Sequence, residues 1–246
     1  MSRQRLVIQS LAALIGFAIL IGLGIWQLER REWKHALIAR VAAAAATAPV
    51  SAPGPVAWDG LDLASLEYAP VTVHGHYLND REVYVVHTLT EPRGPLGGVG
   101  FLVMTPFVTD GGWAVYVNRG FVPRDRKDPA SRSAGEIAGE TTVTGLLRAP
   151  SERSWFTPAD NRSANEWFSR APALYAAAYG APAPQLAPYI IDAVADPSLP
   201  GGLPQGGETI VEFTDNHLQY ALTWFGLAAA LAGVYGAWLW RRRAQA

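Results

Sequence analysis

The residues with the types and spacing to do chemistry fall in three places. The first is Thr214 to Ala228, TDNHLQYALTWFGLA, where a histidine, an amide and a tyrosine stand at the start of an apolar run. On a helix, His217, Tyr220, Ala221 and Trp224 are offset by three, four and seven residues. They therefore share one face, with Trp224 about 10 Å beyond His217. The second is His74 and His76, which alternate along an extended segment and face the same side. If a hairpin is centred between Asp80 and Arg81, His87 lies opposite His74, and three imidazoles could hold a metal. Three polar residues on a solvated sheet face explain the same pattern without an ion. The third is Asn118-Arg119-Gly120, at the end of an apolar strand. Arg119 could bind or catalyse, or it could pair with a carboxylate beside a glycine needed for close backbone approach.

The elements that must position these groups are legible from apolar periodicity. Leu6 to Leu28 and Leu218 to Trp240 carry no charge, and about 20 apolar residues suffice to cross a bilayer. Two transmembrane helices are expected at 6–28 and 218–240. The first run is longer than the apolar core of a secretory signal, and small-x-small cleavage candidates occur only after Val41, so an uncleaved anchor is expected. Arg241, Arg242 and Arg243 directly follow the second run and should stay cytoplasmic. Both ends then lie inside, with residues 1–5 and 241–246 as short cytoplasmic tails and residues 29–217 outside. Arg3 and Arg5 compete with Arg30, Arg31 and Lys34 across the first helix, which suggests that the outer cluster has a task. Few residues precede the first helix, so no room is seen for an amphipathic transit peptide, and a bacterial inner membrane with a periplasmic domain is the expected location.

Between the helices the pattern is that of strands. Segments 70–78, 82–90, 100–109, 113–122 and 141–147 are rich in Val, Thr and aromatics, and 189–194 and 209–213 continue the series. Asn79-Asp80, Pro92-Arg93-Gly94-Pro95 and Asp110-Gly111-Gly112 separate them with turn chemistry. An antiparallel meander or barrel follows, in a membrane-anchored α+β chain. A helical insert is expected over about 163–180, opened by a Ser163-Ala164-Asn165-Glu166 capping box, restarting at Pro172 and stopped by Gly180.

Composition removes other classes. The net charge is -1 and there is no cysteine, so neither nucleic-acid binding nor thiolate chemistry is indicated. No nucleophile elbow, Walker loop, dinucleotide fingerprint or zinc-protease motif occurs. Ala229, Gly233 and Ala237, with Ala12 and Gly16, have small-xxx-small spacing suited to close contact between the two spans or with a partner's helices.

The lip of the helix pair remains. His217 as an axial ligand, Tyr220 and Trp224 as a stacking wall, and Arg30, Arg31 and Lys34 as propionate partners would suit a haem. A histidine bordering a helix at headgroup level, beside snorkelling cations, is the plain alternative.

Four segments carry a resemblance. Gly24 to Lys34 (GIWQLERREWK), Pro70 to Tyr77 (PVTVHGHY), Tyr116 to Pro123 (YVNRGFVP) and Asn216 to Phe225 (NHLQYALTWF), in that order within two spans, resemble the Surfeit-locus family of cytochrome c oxidase assembly factors. The resemblance implies a non-enzymatic role in maturing haem-copper oxidases, helping haem a reach subunit I. It implies haem binding by the histidine of the second helix, here His217, and partners that include subunit I, the lipid bilayer and possibly a haem a synthase. A haem-free scaffold that stabilises subunit I, or a periplasmic metal-binding protein, are the other readings. Phe121 stands where the family pattern has tryptophan, and His74, His76 and His87 are not family features.

Overall fold

The computed structural model of the chain describes residues 3–151, 153–209 and 216–244. These form two compact units, one of residues 1–40 and 212–246 and the other of residues 41–211.

The first unit is a helix pair. Helix α1 runs Arg3–Ala45 and helix α3, the last helix of the chain, runs His217–Arg243. Segments Val7–Ala36 and His217–Arg243 are long and apolar enough to cross a membrane. Within a bilayer their charge-free stretches, residues 7–28 and 218–240, satisfy their backbone groups internally as helices. The two pack as an antiparallel hairpin. The Ser10 and Tyr235 hydroxyls are hydrogen bonded, Gly16 faces Leu231, Gly24 lies against the Phe225 ring, and Gln27 meets His217.

Among the less exposed positions on α1 are Ser10, Ala13, Phe17, Leu20, Gly24 and Gln27, spaced alternately three and four apart. On α3 they include His217, Ala221, Trp224, Ala228, Leu231, Tyr235 and Trp238. This is the 3.5-residue spacing of a coiled-coil seam. The small residues expected at the contact are a different set. Gly16 is at the seam, but Ala12, Ala229, Gly233 and Ala237 are exposed, and nothing lies within 4 Å of a Cβ placed on Gly233. Ala221 and Ala228, each 1% exposed, take the close approach instead.

The second unit is a β domain. Strand β1 (Val50–Ser51) is short and flanks β2 (Pro70–Tyr77). Then come β3 (Val83–Leu89), β4 (Gly98–Thr109), β5 (Ala114–Pro123), β6 (Glu140–Arg148), the two-residue β7 (Glu166–Trp167), helix α2 (Pro172–Tyr179) and β8 (Leu186–Ala193). Hydrogen bonding runs β2-β6-β8-β5-β4 and returns to β2, closing a five-stranded barrel. Neighbours are antiparallel except β5 and β8, which are parallel. The expected membrane-anchored α+β architecture with a barrel-like domain is therefore present, and the parallel step makes it more than a simple meander.

Val71, Val73, Phe107, Val115, Val117, Val143, Leu147, Tyr189 and Ile191 come from all five barrel strands and fill its interior. A second cluster, including Val83, Val85, Leu102, Met104, Trp167, Tyr175 and Ile190, packs β3, β7 and α2 on the outside of the wall. This explains why β4 and β5 are buried along nearly their whole length: both of their faces are covered.

One local expectation differs from the structure. Ser163 does not open a helix. Asn161 accepts the Ala164 amide hydrogen bond, Asn165 is left-handed at φ 52°, and Glu166 enters β7 beside Tyr84. Pairing with β3 and burial of Trp167 outweigh the local capping signal. The helix proper begins with Pro172 in its first turn and ends at Gly180, φ 82°. Of the strand expected at 209–213, all but Thr209 falls outside the described residues.

Candidate functional site

At the open end of the helix hairpin, the first residue of α3 is His217. Its Nδ1 lies 2.7 Å from Gln27 Oε1 on α1. With the amide oxygen as acceptor, Nδ1 carries the proton and Nε2 the lone pair, the tautomer of an imidazole that can act as a ligand through Nε2. Trp224 lies two turns along the same seam and is half-buried. Tyr220, on the same side of α3 by helical spacing, is 56% exposed at the flank of the face that meets α1. An exposed flank position also keeps its ring off the α1 contact.

The cations divide as well. Arg30 is exposed and its guanidinium stacks 4.0 Å from the centre of the Trp33 ring. Arg31 and Lys34 are half-buried and continue the α1 seam spacing beyond Gln27. The hairpin thus joins an imidazole of defined tautomer and an indole, with Arg31 and Lys34 one and two turns past the amide that orients the histidine. That donor set suits a haem: nitrogen for the iron, an aromatic surface for the ring, and cations for carboxylates. Gln27 was missed in the sequence, although an amide within an apolar span is itself a signal of buried polar pairing.

In the β domain the three histidines do not converge. β2 and β3 are consecutive but unpaired, because both bind β4: β3 along Gly98–Met104, and β2 at Phe107–Thr109. His87 accordingly opposes Gly100, while His74 and His76 oppose Thr142 and Glu140 on β6. The three-imidazole cluster is thereby ruled out as a metal centre. His87 instead lines a cavity of ≈ 360 Å³ with Arg148, Ser169, Arg170 and Asp192. Burial, and secondarily Arg170, holds its pKa below the ordinary 6.5.

Arg119 is a structural arginine. It is 5% exposed, donates to Asn79 Oδ1 at 3.2 Å, Glu82 Oε1 at 3.3 Å, Glu136 Oε2 at 3.4 Å and the Gly135 carbonyl, and lies over the Tyr77 ring. Glu82 also accepts hydrogen bonds from Arg132, Thr105 and Tyr84. Burial and the neighbouring Glu82 charge raise the Tyr84 phenol, and burial raises the Glu136 carboxyl. Gly120 has φ 133°, and a Cβ there would run into the Gln205 carbonyl, since Phe121 and Gln205 bridge at that point. Asp192 gathers a second buried set, with Arg148 at 3.0 Å, Arg170 at 3.3 Å, Asn118 at 2.9 Å and Thr209 at 2.8 Å. The first set balances two arginines with two carboxylates, and the second does so with Glu67, which accepts from Arg148 at 2.7 Å, as buried ions must.

The SURF1 family model matches residues 14–229. Surfeit locus protein 1 of Homo sapiens is 39% identical over 220 residues, covering 85% of this chain and 70% of that protein. The Mus musculus protein of the same name is 37% identical over 223 residues, covering 87% and 70%. The SURF1-like protein of Drosophila melanogaster is 36% identical over 252 residues, covering 96% and 79%.

Proposed function

The chain belongs to the SURF1 family, and from that membership we propose that it is an assembly factor for haem-copper cytochrome c oxidase that binds haem a at the open end of its helix hairpin. The observation that carries this reading is the His217–Gln27 hydrogen bond, which sets the imidazole tautomer between the two spans. Haem ligands are commonly oriented in this way, with the far nitrogen donating to a fixed acceptor. His217 would be the axial ligand and Trp224 would contact the ring. Arg31 and Lys34, and at the rim Arg30 and Tyr220, would meet its polar edge. When bound, haem a supplies the iron that the imidazole coordinates; the chain itself makes and breaks no covalent bond. Its work is to hold haem beside the membrane and pass it sideways to subunit I, with the β domain docking on the oxidase or on a haem a synthase.

With Arg241, Arg242 and Arg243 kept inside by the positive-inside rule, the protein would be a two-span protein of a bacterial inner membrane, both termini cytoplasmic and the β domain periplasmic. Protein purified from cells that make haem a should carry it, and His217→Ala should lose it. Unchanged haem content and spectrum in that variant would sink the assigned ligand.

A second reading is a haem-free scaffold for subunit I. It is favoured by the face of α3 that carries Ala229, Gly233 and Ala237, which is turned away from α1 and has the spacing of a helix-docking surface. Copurification of subunit I with the wild-type protein, without stoichiometric haem, would select it.

A further inference from the structure

On the outer surface of the barrel, four potential ligands converge that the haem reading does not use. We propose that His74, Asp110 and Glu140, with His76 beside them, form a binding site for a divalent transition-metal cation of the zinc class. One ligand atom from each of His74, Asp110 and Glu140 lies within 4.8 Å of the other two. His74 Nδ1 is 2.7 Å from Asp110 Oδ2, and His76 Nδ1 is 3.5 Å from Glu140 Oε1.

The convergence is built by the sheet rather than by one flexible loop. His74 and His76 project from one face of β2 as an i, i+2 pair. β6 sets Glu140 opposite His76. On the other side, β4 pairs with β2 through Gly75 and Thr109, and the Asp110 amide donates to the His74 carbonyl at 3.1 Å. Gly75 makes this approach possible. Its φ is 153°, and a Cβ there would collide with the Val108 carbonyl. The backbones of three hydrogen-bonded strands therefore hold the ligand-bearing positions, and only exposed side-chain rotations separate the present spacing from coordination.

The donor set selects the ion. Imidazole nitrogen and carboxylate oxygen together suit zinc and its neighbours, whereas all-oxygen sites suit calcium and magnesium. Among the described residues, the ion pairs of Asp110 and Glu140 are with these imidazoles alone. With both imidazoles neutral the group carries two negative charges for the cation to neutralise. Bond lengths of about 2.0–2.2 Å put the ligand atoms of a tetrahedral shell roughly 3.3–3.6 Å apart, so the His74–Asp110 pair at 2.7 Å opens slightly and the wider pairs close. Three ligands plus water, or four with His76, would complete a tetrahedral shell.

The test uses the full chain in detergent, stripped with a chelator and titrated with Zn²⁺ against a fluorescent zinc indicator at neutral pH. One equivalent is expected to bind. His74→Ala and Asp110→Asn should each weaken binding by about tenfold or more, while His87→Ala should leave it unchanged. Co²⁺ substitution supplies a second readout, because visible bands from an imidazole-carboxylate site should vanish in the His74→Ala variant. These side chains are exposed, so folding should be unaffected, and an unchanged thermal midpoint verifies that. Zinc binding below one equivalent, or full binding retained in a His74→Ala/Asp110→Asn double variant, would overturn the assignment. Neither outcome depends on haem, so this site and the His217 site stand or fall separately.

Discussion

Removal of the Glu82 carboxylate should unfold the barrel more readily than any exposed charge change. The Glu82 side chain is 2% exposed and faces Arg119 and Arg132, whose side chains are 4% and 0% exposed. Glu82→Ala leaves two buried guanidiniums sharing the single carboxylate of Glu136, and strands the Thr105 and Tyr84 hydroxyls that donate to it. Breaking a buried ion pair from one side costs about 3–5 kcal/mol, because the remaining charge stays desolvated. At about 2–4 °C per kcal/mol for a domain of this size, the midpoint should fall by roughly 6–20 °C. Thermal unfolding of the full chain in detergent, followed by the infrared β-sheet band, isolates this domain from the helices. Glu82→Leu combined with Arg132→Met removes one charge of each sign and should cost less than Glu82→Ala alone. A loss below about 1 kcal/mol for Glu82→Ala, as for a surface pair, would refute the argument. So would a double variant worse than the single.

Gln27→Leu keeps the ligand but frees its tautomer, so haem affinity should fall by about 10–100-fold; unaltered haem retention would deny Gln27 its positioning role. Gly24→Leu should destabilise the hairpin because its side chain would occupy the place of the Phe225 ring. Phe225→Ala should partly restore the thermal midpoint, and failure to do so would remove that contact as the cause. His87 titrates lower in the folded protein than its ordinary 6.5, so the unfolded chain takes up the proton first. Stability from this group is full above about pH 6.5 and is lost as pH falls from there towards the folded pKa. Unfolding midpoints of wild type and His87→Gln between pH 5 and 7.5 should therefore converge on acidification. Gly120→Ala should cost about 1–3 kcal/mol from backbone strain alone, with the Gln205 overlap added, measured as a lower denaturant midpoint.

The candidate site was partly legible. The charge-free runs and the placement of His217 at the start of the second one follow from residue type alone. The partner of His217 did not, because helix rotation is set by which faces interlock, and the heptad seam through Ala221 and Ala228 outcompetes the Ala229–Gly233–Ala237 spacing. For the same reason Tyr220 is left exposed at the flank of that face. Asp110 and Glu140 were out of reach for another: they meet His74 and His76 only through pairing between strands distant in sequence.

What the sequence by itself determined is whatever depends on neighbours along the chain. Long charge-free segments become spanning helices, Val- and Thr-rich segments become strands, and Asp110-Gly111-Gly112 becomes the turn joining β4 to β5. Four ordered motifs also sufficed to point to the family. Strand partnership was decided only by the tertiary structure. The amides and carbonyls of a strand edge are the same whichever strand approaches, so local pattern could not tell that β2 and β3 would each pair with β4 rather than with one another. Long-range burial made that choice, closing the barrel around Phe107 and Val117 and sealing β3 under Trp167. It left His87 facing Gly100, and set Arg119 among carboxylates from segments remote in sequence.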